Sequence, residues 1–329
     1  MLEHGGRLRA AAARHGIPLA DWIDLSTGIA PYGWTLPPIP DSAWMRLPEP
    51  DDGLEAAARA YYGADAVLPV AGSQAAIQAL PGLRPRARVG VLSPCYAEHA
   101  EAWRQGHHLQ EISEGAIPRA LERLDVLVVV NPNNPTGRLI PPQQLLDWHA
   151  QLAERGGWLI VDEAFMDCTP PFSLAPHSQL PGLIVLRSFG KFFGLAGARL
   201  GFVLAETKRL QALSERLGPW TVSGPARVLG TALLNDGEGQ QRQRERLRRD
   251  GQRLAMLLAH HGLPVTGGCA LFQWIAHAEA RLLYELLACN GVLARLFEQP
   301  LSLRFGLPSH EAAWARLEQV LAAFADQHA

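Results

Sequence analysis

The chain predicts an α/β fold: a large domain on a mostly parallel, doubly wound sheet, followed by a smaller α+β domain. Three observations carry this. Short apolar runs alternate with helical patterns through the first two thirds of the sequence. Those runs have little internal polarity, as expected for strands buried on both faces of a parallel sheet. After Asp236 the character changes to a long charged helix, short strands and closing helices. The expected divisions are 1–40 as an N-terminal arm, 41–235 as the large domain and 236–329 as the small domain.

The arm becomes Pro- and Gly-rich after Asp24, which argues against a domain of its own. Strands are expected at Val89–Leu92, Val126–Val130, Trp158–Val161, Leu183–Leu186 and Gly201–Leu204. Helices are expected at Ser73–Leu80, Glu98–Gly106 and Pro142–Arg155 between them. In the last third the pattern reads as a helix Glu238–His261, an apolar stretch Val265–Ile275 and a helix Ala278–Asn290. Strands Val292–Phe297 and Leu301–Phe305 and a helix His310–Ala325 complete it.

At 329 residues and 48% hydrophobic, the sequence can build a sizeable core, and a net charge of −2 gives no reason to expect nucleic acid or an anionic membrane as partner. The basic stretch Arg242–Arg253 is interleaved with Gln and Glu at helical spacing and reads as a solvated helix face. Cys95, Cys168, Cys269 and Cys289 are scattered without paired spacing, so neither a disulfide framework nor a metal site is expected. The N-terminus lacks an apolar run, and a reducing, cytoplasmic setting is expected.

Of 30 lysines and arginines, only Lys191 and Lys208 are lysines. Arginine stays protonated, whereas lysine can lose its proton and attack a carbonyl. Lys191 lies in Ser188-Phe189-Gly190-Lys191, at the end of the Leu183–Leu186 run. Ligands of open α/β sheets bind at the carboxyl ends of the strands, and three more polar segments fall at such places. Gly72-Ser73-Gln74 opens a helix, Asn131-Pro132-Asn133-Asn134-Pro135-Thr136-Gly137-Arg138 follows Val126–Val130, and Asp162-Glu163-Ala164 ends Trp158–Val161. Each admits a plain reading too: a surface lysine, a turn with a helix cap, a Pro-Gly turn, a helix N-cap.

Together and in this order, the segments N-P-N-N-P-T-G, V-D-E-A-F and S-x-x-K-x-x-G-L-A-G-x-R-x-G resemble the fold-type I family of pyridoxal-phosphate enzymes, the aspartate-aminotransferase superfamily. The resemblance runs from Leu47 to Arg304. It implies pyridoxal 5′-phosphate as cofactor, held covalently by Lys191, which then moves the proton. By the same resemblance Asp162 pairs with the pyridine nitrogen, Asn134 meets the 3′ oxygen and Tyr96 stacks on the ring. Gly72, Ser73, Gln74, Ser188 and Arg199 cradle the phosphate, and Arg304 receives the substrate's carboxylate. A homodimer is implied as well.

The arm narrows the resemblance. His4-Gly5-Gly6, then Asp24-Leu25-Ser26-Thr27-Gly28-Ile29, is similar to the arm of L-threonine-O-3-phosphate decarboxylases of cobalamin biosynthesis. In that family the arm covers the active site and helps to bind the substrate's phosphate. His4, Gly5, Gly28 and Arg295 thereby become substrate-binding candidates beside Asn134 and Arg304. The implied reaction releases carbon dioxide and (R)-1-amino-2-propanol O-2-phosphate. Two alternatives stand beside it: a histidinol-phosphate-type aminotransferase, and a non-catalytic pyridoxal-phosphate-binding regulator. Three positions depart from the pattern of relatives. Phe165 stands where many carry Tyr, Leu47 where a Tyr reaches the neighbouring subunit, and Gly28 where many threonine-phosphate decarboxylases carry Asn.

Overall fold

A computed structural model describes residues 4–326. Its strands, in chain order, are β1 (Ile23–Asp24), β2 (Val67–Val70), β3 (Arg88–Leu92), β4 (His108–Ile112), β5 (Val126–Val130), β6 (Trp158–Asp162) and β7 (Leu183–Ser188). They continue as β8 (Gly201–Ala205), β9 (Gly267–Cys269), β10 (Phe272–Ala276), β11 (Val292–Leu293), β12 (Arg295–Glu298) and β13 (Leu301–Gly306). The chain forms two compact units. One comprises Trp34–Asn134 and Leu139–Gln243; the other comprises the residues up to Gly33, Pro135–Arg138 and those from Arg244 onward. The division therefore falls inside the helix Gly237–His260 instead of before it. The first turns of that helix are tied to the large unit by side-chain amides: Gln240 donates to the carbonyls of Leu233 and Leu234, and Gln243 to that of Phe192 at 3.0 Å. The large unit also begins at Trp34 and not at residue 41, because the Trp34 indole packs on Phe193 with ring centroids 5.2 Å apart.

The large unit is built on one seven-stranded sheet in the order β2-β8-β7-β6-β5-β3-β4. Strands β4, β3, β5, β6 and β7 run parallel, and the five residues of β5, all apolar, are 0–1% exposed. Burial of each such side chain contributes roughly 1.5–3 kcal/mol. One expected member of the parallel set, Gly201–Leu204, is instead antiparallel to both neighbours. The physical reason is its connection. A parallel crossover must carry the chain back along a sheet face, usually as a helix. Between β7 and β8 the chain only turns through the short helices Phe189–Phe192 and Ala196–Ala198 and re-enters at the same end. The two edge strands escaped the apolar-run criterion. Strand β4 is largely polar and exposed. Strand β2 contains Pro69, which an edge tolerates because one side of its ladder needs no N–H.

In the other unit β12-β13-β10-β9 form an antiparallel sheet, and β1 pairs parallel with β11. The stretch Val292–Phe297 is therefore not one strand. It changes partner at Ala294, from β1 to β13. The N-terminal helix Leu8–His15 is anchored by Leu8, Ala11 and Ala12, which pack with Ile17 and Tyr284 against Trp22, Ala288 and Leu293. The long helices lie within two residues of where periodicity puts them. Among the described residues no helix is long and apolar enough to cross a membrane.

Candidate active site

The register of the large sheet lines up the chemistry-bearing segments. Val70 pairs with Gly201, which pairs with Ser188; Val130 pairs with Asp162, which pairs with Leu186. The loops that follow β2, β5, β6 and β7, the last leading into β8, consequently open at one end of the sheet. There Gly72, Ser73, Gln74, Tyr96, Asn134, Asp162, Ser188, Lys191 and Arg199 line a single cavity, together with Phe165 and Ala164. The reversed direction of β8 matters here, since it keeps Lys191 and Arg199, on either side of the turn, at the same edge.

Two glycines shape one corner of the cavity, Gly72 in its wall and Gly201 behind it. Gly72 has φ +75°, and a Cβ there would lie 2.7 Å from Arg199 Nη2; a Cβ on Gly201 would lie 2.6 Å from the Ser73 nitrogen. Only bare backbone allows the guanidinium and the first turn of the helix Ser73–Ala79 to come so close. Arg199 itself adopts φ +52° and donates to the Ala196 carbonyl at 3.2 Å. First-turn N–H groups have no intrahelical acceptor, so this corner gathers donors suited to a phosphate. The Gln74 side chain is committed elsewhere: it accepts from Tyr96 Oη at 3.1 Å and donates to Glu98 at 2.9 Å. It holds the Tyr96 ring in place, and Gln74 also lines the cavity.

At the opposite side sits a buried carboxylate. Asp162 is 3% exposed, accepts the Ala164 N–H at 3.0 Å, and meets His99 Nε2 at 2.9 Å. With Nε2 carrying the proton, His99 donates and fixes the carboxylate's rotation. Sequence reasoning missed His99. Its spacing of three from Tyr96 at the start of the helix Glu98–Arg104 was the available signal. The phenol of Tyr96 is pushed up to about 12 by burial and then by the Glu98 and Asp162 charges, so it stays a neutral donor. Lys191 Nζ lies 5.7 Å from the centre of the Phe165 ring.

Behind the cavity, Arg187 bridges Glu163 at 2.7 Å and Asp167 at 2.8 Å with all three side chains buried. Tyr61 Oη adds a bond to Asp167 at 2.9 Å. Burial pushes the Glu163 carboxyl up against the pull of Arg187. The network joins the ends of β6, which carries Asp162, and β7, which leads into the short helix of Lys191.

The other expected residues belong to the second unit. His4, Gly5 and Arg295 line a cavity there with Arg7, Arg281 and Ser26. Gly28 and Arg304 are not among its lining. Gly28 is buried two residues beyond Ser26. The Arg304 guanidinium is buried and donates to the Ser26 carbonyl at 2.7 Å. Arg295 and Arg304 are register partners across β12 and β13, and burial followed by the Arg295 charge lowers Arg304 to about 10. Like charges placed opposite one another repel unless an anion joins them. Among the described residues no group of three His, Cys, Asp or Glu could hold a metal ion.

A lysine amine, a buried carboxylate, an aromatic face and a phosphate-type donor corner around one cavity suit a phosphorylated, carbonyl-bearing heteroaromatic. Residues 20–317 match the aminotransferase class I and II family model, and the chain belongs to that family. It is 64% identical over 325 residues to the threonine-phosphate decarboxylase of Pseudomonas aeruginosa, covering 98% of both chains. It is 43% identical over 329 residues to the threonine-phosphate decarboxylase of a Sinorhizobium species, again covering 98% of each. Among solved structures, histidinol-phosphate aminotransferase from Sinorhizobium meliloti in complex with pyridoxal-5′-phosphate superposes with a TM-score of 0.84 at 21% identity. That likeness covers 100% of this chain and 96% of the other, and at such identity it is one of fold.

Proposed function

We propose that this protein is a pyridoxal-phosphate-dependent carboxy-lyase that converts L-threonine O-3-phosphate to (R)-1-amino-2-propanol O-2-phosphate and carbon dioxide, supplying the aminopropanol linker of cobalamin. The observation that carries the reading is 64% identity to a threonine-phosphate decarboxylase over 98% of both chains, arm included. The cavity fits the cofactor on its own terms. The bare backbone of Gly72 and Gly201 lets Arg199 and the Ser73 N–H close on one corner, and Asp162 is buried with an orienting histidine.

In this reading Ser73, Ser188, Arg199 and the backbone at Gly72–Gln74 take the cofactor's phosphate, Asp162 the ring nitrogen, Asn134 the 3′ oxygen, and Tyr96 the ring face. Bound there, the cofactor supplies an electron sink for the pair left on Cα when the carboxylate departs. Lys191 would hold the cofactor and return a proton to Cα, so that hydrogen takes the place of the departing CO2. Arg295, Arg304, His4 and Gly5 take the substrate's acid groups, with Gly28 in the same arm. Holding the substrate by its remote phosphate would set its orientation at Cα, so that binding energy selects decarboxylation over amino transfer. Phe165 offers no phenol, which leaves the 3′ oxygen to Asn134.

A homodimer is part of the proposal. Trp44, Met45, Leu47 and Trp220 expose 60–83% of their surface on the large unit, apolar area that a second copy would bury. Leu47 would contribute to such a contact by burial and not by a hydrogen bond. The four cysteines are free thiols, which suits a reducing cytoplasm.

The reading is tested by supplying the purified holoenzyme with L-threonine O-3-phosphate alone, and separately with L-histidinol phosphate and 2-oxoglutarate. Turnover in the first mixture and none in the second is expected. The reverse pattern would replace the lyase with an aminotransferase.

A further inference from the structure

The arm and Arg304 meet at one residue. Ser26 is 2% exposed and makes four hydrogen bonds in three directions. Its Oγ accepts the Gly6 N–H at 2.7 Å, so it holds the arm. Its carbonyl accepts from Arg304 Nη2 at 2.7 Å, so it holds the guanidinium. Its own N–H and Oγ both donate to Asp24 Oδ1, at 2.9 and 2.5 Å, which locks the turn. Asp24 is itself fixed in the β1–β11 pair, and the Leu25 carbonyl accepts the Gly306 N–H at 2.7 Å two residues beyond Arg304. The fit leaves no slack. A Cβ on Gly5 would lie 2.3 Å from the Ser26 carbonyl oxygen, the same atom that Arg304 holds.

From this we infer that Ser26 is a positioning residue that couples docking of the His4-Gly5-Gly6 segment to the orientation of Arg304. Neither group can shift without moving the same turn. The arm and the guanidinium therefore order together, and a substrate that binds Arg304 also favours the docked arm. Ser26 touches no reacting atom in this scheme; it acts through the arm and through Arg304. The inference rests on the reading that Arg304 and the arm receive the substrate's acid groups.

The test uses the holoenzyme and two variants. Ser26→Ala removes the arm's acceptor and keeps the carbonyl; Gly5→Ala presses on the carbonyl and keeps every side chain near Arg304. Hydrogen exchange of the N-terminal peptide reads docking without turnover, and the Gly6 amide should exchange about tenfold faster or more in Ser26→Ala. For both variants KM for L-threonine O-3-phosphate should rise about tenfold while kcat stays within about twofold, the mark of lost binding with the chemistry intact. Unchanged KM in either variant, or equal protection of the arm, overturns the coupling. So does a joint fall of kcat and rise of KM with faster exchange throughout β1, β11 and β13, which would mark Ser26 as a fold residue only. Failure of the decarboxylase reading would show separately, as no carbon dioxide from the unsubstituted protein, and the exchange measurement would still decide whether Ser26 holds the arm.

Discussion

The two cavities of this chain are built in opposite ways. In the large unit the residues stand at the ends of strands whose interiors are fully buried, and glycine backbone shapes one corner of the cavity. In the other unit the candidates are side chains: two arginines facing each other across β12 and β13, and a short arm pinned to one serine. Sheet ends give a precise frame for chemistry shared across a family. An arm held by a few hydrogen bonds can be exchanged to suit one substrate. If that contrast holds, substitutions in the first cavity should remove rate, and substitutions in the second should remove affinity.

Lys191→Ala breaks the first side most completely, with carbon dioxide release expected to fall by about a thousandfold or more, since the residue both anchors the cofactor and moves a proton. Asp162→Asn should cost about a hundredfold in kcat, and His99→Gln about tenfold, because the imidazole acts only by orienting a charged acceptor. On the second side, Arg304→Gln should raise KM about ten- to hundredfold and lower kcat less. A loss confined to kcat would dissolve the contrast. Gly72→Ala sharpens it, because a methyl at φ +75° set against Arg199 should destabilise the fold by roughly 1–2 kcal/mol and speed cofactor loss, read by thermal melting and by dialysis.

The smallest expected effect is electrostatic. Burial alone would raise the Asp52 carboxyl, yet the Arg227 hydrogen bonds and charge and the Leu54 N–H outweigh it and hold the group below its usual range. A depressed carboxylate contributes stability above its unfolded pKa and loses it as pH falls through the folded value. The melting temperatures of the parent and Asp52→Asn should therefore differ at neutral pH and converge below about pH 4.

Much of the large unit was legible because its strands are apolar on both faces and its motifs sit at strand ends. Direction was not legible. Nothing in Gly201–Leu204 distinguishes a returning strand from a parallel one, since the reversal is set by the connection before it. The edges were hidden for a related reason: β4 is polar because it is half solvated, and Pro69 interrupts β2. In the second unit Val292–Phe297 reads as one apolar run, although pairing splits it at Ala294. Ser26 lay inside a motif already noted, and only the tertiary contacts with Gly6 and Arg304 give it a task. Likewise, the bonds of the Gln74 side chain to Tyr96 and Glu98 emerge only from the tertiary structure.

The most direct test of the central claim follows the fate of the carboxyl carbon. L-threonine O-3-phosphate labelled at that carbon, incubated with the holoenzyme in the absence of any keto acid, should release labelled carbon dioxide over many turnovers and leave (R)-1-amino-2-propanol O-2-phosphate. Label retained in the amino acid, or found in a 2-oxo acid formed only when 2-oxoglutarate is added, would contradict the account.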